Sequence, residues 1–195
     1  MARTLSNMLP LGTRAPEFEL MDTVTGRTMT LQELKGRNGT VVMFICNHCP
    51  FVRHVNPEIS KLAREFQPRN ISFIAISSND VESYPEDSPE LMKKNALNKG
   101  YTFPYLYDPE QKAAKAYDAA CTPDFYLFDA DLDLVYRGQL DDSRPGNGLP
   151  LTGDDLRNAI KALLHGEPID PIQKPSIGCN IKWKAGPPTP KGGVN

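Results

Sequence analysis

From Gly39 to Ile45 the chain is almost continuously apolar, with Val41, Val42, Met43, Phe44 and Ile45 in succession. That pattern predicts a strand buried on both faces, at the centre of a sheet. The period then changes. Between Pro50 and Phe66 the apolar positions Val52, Val55, Ile59, Leu62, Ala63 and Phe66 recur at spacings of three and four, which predicts an amphipathic helix. Pro50 suits its first turn, where no backbone N–H is needed, and Pro57, inside the pattern, predicts a kink. Strand and helix go on alternating. Ile71–Ile76 reads as a second buried strand, and Ser88–Gly100 as a helix with Ser88 at the N-cap, Pro89 at the first position and Gly100 at its end. Glu110–Ala119 and Asp154–His165 read as further helices, with Phe125–Phe128 and Leu134–Tyr136 forming a hairpin between them.

Upstream, Glu17–Leu20 and Thr28–Leu31 flank a Thr25-Gly26-Arg27 turn and predict a short N-terminal hairpin, while residues 1–15 read as an irregular lead-in. Residues 167–195 are rich in Pro and Gly and show no periodicity except around Ile177–Trp183, and no internal repeat is present. The expectation is an α/β fold with a central mixed sheet flanked by helices, followed by an irregular C-terminal extension.

With 195 residues the chain can build one domain with a proper core, so it needs no disulfide framework. Its 22 basic and 24 acidic residues nearly cancel, which argues against a nucleic-acid or anionic-membrane surface. The start carries no apolar signal region, and no stretch approaches a membrane span. A cytoplasmic location is expected. In a reducing compartment four cysteines point to catalytic or metal-binding thiols.

The central strand runs directly into Cys46-Asn47-His48-Cys49-Pro50, so two thiols are delivered to the start of a helix. Unpaired N–H groups and a partial positive charge at that end favour thiolate over thiol. A cysteine there can fall from a pKa of about 8.5 to roughly 3.5–7.5 and become a nucleophile or a metal ligand. Cys49, next to Pro50, is expected at the N-cap, closest to those N–H groups. Cys46 lies three residues back, where strand becomes loop. Cys49 is therefore the expected attacker and Cys46 the resolving thiol. His48 reads either as a solvated turn residue or as a cationic neighbour or metal ligand. His54, Arg53, Arg137, Asp141 and Asp142 read as surface or structural groups.

A Cys-x-x-Cys at a strand-to-helix junction, a proline inside the following helix, and Cys121-Thr122-Pro123 leading into a strand together resemble the thioredoxin superfamily, over roughly residues 11–166. The lead-in Leu11-Gly12-Thr13-Arg14-Ala15-Pro16-Glu17-Phe18 is similar to the opening of its redoxin branch, the alkyl hydroperoxide reductase/thiol-specific antioxidant group. Cys-Asn-His-Cys-Pro and the tail Ser176-Ile-Gly-Cys179 are similar to bacterial thiol-disulfide isomerase/thioredoxin proteins. The resemblance implies a thioredoxin-like domain over 1–166, a partly docked extension over 167–195, and a cis peptide at Thr122–Pro123. It also implies thiol redox chemistry without a cofactor or metal, on a disulfide-containing protein or small molecule, with a separate electron donor. Thr122 and Pro123 are implied as the substrate-binding residues, because an open backbone edge there would pair with an extended substrate.

Departures from the family pattern bear on the chemistry. The family's spacing of eight residues back from the helix proline lands on Cys49, and the position of its resolving cysteine holds Val52. Met43 stands where a buried carboxylate is usual. Cys46 stands where peroxidases of the family carry Thr or Ser, and Ala120-Cys121-Thr122 replaces their arginine. Two alternatives stay open. In a thiol peroxidase, Cys49 would pass through sulfenic acid and Cys46, Cys121 or Cys179 would condense with it. In a metal-binding protein, Cys46, Cys49, Cys121 and His48 would hold zinc or copper. The apolar Ile177, Ile181 and Trp183 predict that the segment 174–183 folds back on the domain, bringing Cys179 toward the site.

Overall fold

The structure, a computed structural model, describes residues 3–185. The last residues of the expected extension, 186–195, and residues 1–2 lie outside the described residues. In chain order the elements are β1 (Arg3–Leu5), β2 (Glu19–Asp22), β3 (Thr28–Thr30), α1 (Leu31–Leu34), β4 (Gly39–Phe44) and α2 (Pro50–Phe66). There follow β5 (Ile71–Ser77), α3 (Pro89–Lys99), β6 (Tyr105–Tyr107), α4 (Lys112–Ala116), β7 (Cys121–Thr122), β8 (Asp124–Phe128), β9 (Leu134–Gly138), α5 (Asp154–His165) and β10 (Ile177–Asn180).

Seven strands form one mixed sheet in the order β3-β2-β6-β5-β4-β8-β9, and β1, β10 and β7 form a second, three-stranded sheet. The apolar run of β4 is central: it pairs parallel with β5 and antiparallel with β8, and each of its six residues is buried. Its alternation sorts the core into two layers. Val41, Met43 and Ile45 pack with Val52, Val55, Ile59 and Leu62 of α2 and Leu156 and Ile160 of α5. Val42 and Phe44 pack on the other face with Leu31, Ala113, Tyr117 and Tyr126. The fold is thioredoxin-like, with helices on both sides of a mixed sheet.

Both ends of α2 and of α5 coincide with those read from their apolar periods. α2 continues through Pro57, which removes one donor from the helix. In α3, Gly100 closes the C-terminus in the left-handed conformation (φ 61°), and Ser88 holds the N-cap position without a capping bond from its side chain.

Elsewhere the elements differ from expectation. The helix expected over Glu110–Ala119 shrinks to α4 because Gln111 (φ 59°) and Asp118 (φ 50°) adopt left-handed backbone on either side of it. The Asp108 carboxylate accepts from the Lys112 and Ala114 N–H groups and starts the helix late. Leu31 opens α1 rather than ending a strand, because Thr30 and Glu33 form a reciprocal cap. β6 and β1 were not expected. β1, inside the expected irregular lead-in, pairs with β10.

Candidate active site

After β4, the Ile45 N–H donates to the Ile76 carbonyl at 3.0 Å and holds the chain against β5 up to the turn. The turn then bends over Asp87, whose Oδ1 accepts the Asn47 N–H at 2.7 Å. Cys49 takes the N-cap of α2 with extended backbone (φ −67°, ψ 123°) and Pro50 enters the helix behind it. Its side chain is fully buried.

As a thiol, Cys49 donates to the Thr122 carbonyl at 3.2 Å. As a thiolate it is held by the Cys46 thiol first, then by the Cys179 thiol and the Val52 and Cys179 N–H groups, and these outweigh burial to bring its pKa down to about 5. The Val52 N–H belongs to the first turn of α2, so the field of the helix start adds to this pull although the Cys49 sulfur makes no capping hydrogen bond. One anion is stabilised where several thiols meet. Cys46 moves the other way: donating to Cys49, buried, and facing the Asp87 charge, it stays protonated well above the usual thiol range. Its sulfur also lies 3.5 Å from the Thr122 hydroxyl. Cys179 is pushed up to about 12, by burial first and then by its bond to Cys49.

His48 lies beside the pair rather than in solvent. Its Nδ1 meets Asp87 Oδ2 at 2.7 Å, and its ring stacks on Tyr84 with centroids 5.5 Å apart. That hydrogen bond raises the His48 pKa above 6.5 against the pull of burial. Asp87 is wholly buried, which alone would raise its carboxyl, yet bonds from His48, Asn79 and the Asn47 N–H hold it below the ordinary value. His48 Nε2 is buried and has no hydrogen-bond partner among the described residues. The sulfur of Cys46, a His48 ring nitrogen and an Asp87 oxygen lie within 4.8 Å of one another, a donor set that could hold a zinc-class cation. It differs from the expected ligand set. Cys121 does not join it; its thiol points to the Pro123 carbonyl at 3.8 Å, and burial drives its pKa up.

The tail completes the site. The Thr122–Pro123 peptide is cis, and the backbone edge beside it is filled: β10 pairs antiparallel with β7, placing Cys179 opposite Thr122 and Asn180 opposite Cys121. The open edge expected for an extended substrate is thus taken by the chain itself. Two glycines make this possible. A Cβ on Gly178 would sit 1.9 Å from the Thr122 carbonyl oxygen, and one on Gly138 would sit 2.0 Å from the Lys174 oxygen. Beyond β10, the Lys182 N–H donates to Asn79 Oδ1, and Asn79 Nδ2 donates to Asp87 Oδ2, at 2.8 and 2.7 Å. The Lys182 ammonium lies 5.5 Å over the Tyr84 ring. Tail and turn are joined by one chain of bonds.

Residues 11–137 match the model of the AhpC/TSA family. The chain belongs to the AhpC/TSA family. Membership places it among thiol-based redox proteins of thioredoxin-like fold. The chain is similar to an uncharacterized conserved protein from Geobacillus kaustophilus, at 59% identity and a TM-score of 0.94, over 96% of this chain and 99% of that one. It is also similar to a hypothetical protein from Sinorhizobium meliloti 1021, at 48% identity and 0.91, over 94% and 100%. The thioredoxin domain of a thiol-disulfide oxidoreductase from Bacteroides vulgatus shares the fold at 19% identity and 0.63, over 80% and 99%. Among curated proteins there is no match.

Of the residues singled out in this AhpC/TSA sequence, Cys46, Cys49, Thr122 and Cys179 meet around one sulfur, and Pro123 follows directly. His54 lies apart, bonded to the Ser143 hydroxyl at 2.8 Å. Asp87, Asn79 and Tyr84 were not anticipated, because no local pattern ties them to the cysteines. Asp124 was also missed. It is a fully buried carboxyl directly after Pro123, pushed up to about 7 by burial, and its Oδ2 accepts the Tyr126 hydroxyl at 2.9 Å. An acidic residue opening an otherwise apolar strand was its only signal in the sequence.

Proposed function

We propose that this AhpC/TSA protein is a thiol-disulfide oxidoreductase in which Cys49 is the attacking thiolate and Cys46 a thiol that resolves the intermediate. The observation that carries this reading is that Cys49, buried at the N-cap of α2, lies beside the Cys46 and Cys179 thiols, which bring its pKa down to about 5. Cys49 would attack one sulfur of a disulfide and expel the other as a thiol, leaving a mixed disulfide on the protein. Cys46, after losing its proton, would attack the Cys49 sulfur, expel the second substrate thiol and close Cys46–Cys49. The half-buried His48, its ring held by Asp87 and within 4.8 Å of the Cys46 sulfur, is an acid–base group beside this exchange, and its buried Nε2 can hold the proton that a leaving thiolate takes. A dithiol donor would reopen the disulfide. The site thus needs a disulfide substrate and a reductant, and it needs no cofactor.

Turnover of a low-molecular-weight disulfide by the purified chain with dithiothreitol tests this. Activity should vanish in Cys49→Ala, and one equivalent of disulfide without dithiothreitol should leave Cys46 linked to Cys49 in the native chain. Full activity in Cys49→Ala refutes it, and faster turnover of hydroperoxide than of disulfide would favour the peroxidase reading instead.

A further inference from the structure

We infer that Cys179 is a second resolving thiol, delivered to Cys49 by the C-terminal strand β10, and that the Cys49–Cys179 disulfide locks that strand across the site. The inference rests on the reading of Cys49 as attacking thiolate. Cys49 and Cys179 are both buried, and Cys179 gives Cys49 both its thiol and its backbone N–H. The strand carrying it lies on the edge of β7 next to the Thr122–Pro123 peptide, with Cys179 opposite Thr122. The Thr122 carbonyl in turn accepts from the Cys49 thiol at 3.2 Å. Cys179 packs beside the Cys49 sulfur from β10, so a substrate sulfur approaching along the cis-proline edge takes the space now filled by Cys179. β10 therefore has to lift for attack, and its return brings a thiol to the intermediate.

Gly178 shows that the strand is fitted to this place, since any side chain there would collide with the Thr122 carbonyl. The strand is also anchored on both flanks. Ser6 and Ser176 exchange bonds at 2.9 Å on one side, and the Lys182–Asn79–Asp87 chain holds the other. An extended polypeptide would have to hold the whole edge against the returning β10, whereas a small disulfide needs only the part of it around Cys179. The substrate class this favours is a low-molecular-weight disulfide, R–S–S–R.

The steps balance. The Cys49 thiolate attacks R–S–S–R, the S–S bond breaks, and one R–S⁻ leaves and takes up a proton. Cys179 gives up its proton and attacks the Cys49 sulfur of Cys49–S–S–R, and the second R–S⁻ leaves. Two protein thiols are oxidised to Cys49–S–S–Cys179, and one small disulfide is reduced to two thiols.

The test uses the full reduced chain, 2-hydroxyethyl disulfide in equimolar amount, an acid quench and peptide mapping. In Cys46→Ser, Cys49 should be found linked to Cys179 with both halves of the reagent released as mercaptoethanol. In Cys46→Ser/Cys179→Ser, Cys49 should keep one half. Gly178→Ala made in the Cys46→Ser background, which retains the other three thiols, should lose the Cys49–Cys179 link and leave half of the reagent on Cys49. If Cys49 of Cys46→Ser keeps its half of the reagent, the inference falls while the attacking role of Cys49 stands. An undiminished Cys49–Cys179 link in that Gly178→Ala variant also overturns delivery by the strand. If Cys49 carries no adduct in the double variant, the attacking role falls and the inference falls with it.

Discussion

Asp87 shows how much of this site rests on one side chain remote in sequence. It accepts from the Asn47 N–H, from His48 Nδ1 and from Asn79 Nδ2, each at 2.7 Å, and so positions both the turn between the cysteines and the link to the tail. Hydrogen bonds to a buried charge contribute more than neutral ones, so Asp87→Ala should cost about 2–3 kcal/mol, read from urea unfolding near neutral pH. The sign with pH follows from the two shifts. The raised His48 pKa contributes stability at low pH that is lost as pH rises through the folded-state value, and the lowered Asp87 pKa contributes stability lost as pH falls through its own. The pair therefore contributes most between these two values. In Asp87→Asn the ring loses its anionic partner while burial and the weaker pull of the Cys49 and Glu86 charges remain, so His48 should titrate lower by NMR than in the native chain. An unchanged His48 titration would remove Asp87 from the site. None of this was legible beforehand: the cysteines and His48 announce themselves by spacing, whereas Asp87 lies thirty-nine residues beyond His48 in a single 3-10 turn, Pro85–Asp87, too short to show a period.

Among the elements, those with a full apolar period were readable end to end. β4, α2 and α5 bury one stripe or both faces over many residues, so pattern and structure coincide. The short pieces were not readable. β1, β6 and β7 have two or three residues each, too few for a period, and exist because a neighbouring strand pairs with them. β10 combines both cases: its apolar positions suggested docking, but only its register on β7 shows that it covers the cysteine. Gly178→Ala should push β10 off its edge, since the added Cβ would overlap the Thr122 carbonyl at 1.9 Å. Alkylation of Cys49 by a bulky maleimide should then speed up about tenfold or more, because each ~1.4 kcal/mol taken from the opening free energy is a factor of ten. An unaltered rate would mean that reagents reach Cys49 by another route.

For the molecule as a whole, the two buried carboxyls pull stability in opposite directions with pH. Asp124 has a folded pKa of about 7 against an ordinary 3.8, so the folded state binds the extra proton between those values and stability falls as pH rises through that window. Asp124→Asn should lose less stability than the native chain between about pH 5 and about pH 8, measured by urea midpoints. Equal losses in both would mean that Asp124 ionises as freely in the fold as outside it. The same low-dielectric interior that keeps Asp124 protonated isolates the cysteines, and there the helix start and the neighbouring thiols leave a single anion, on Cys49. Thiolate absorbance in the ultraviolet, followed through a pH titration of the reduced native chain and of Cys49→Ser and Cys46→Ser, addresses that assignment without requiring a reagent to reach the buried sulfur. The native chain should show a one-thiolate step near pH 5, which is lost in Cys49→Ser and persists in Cys46→Ser, where the serine hydroxyl takes the place of the Cys46 thiol as donor. A step that survives in Cys49→Ser and disappears in Cys46→Ser would place the nucleophile on the other cysteine and contradict the account.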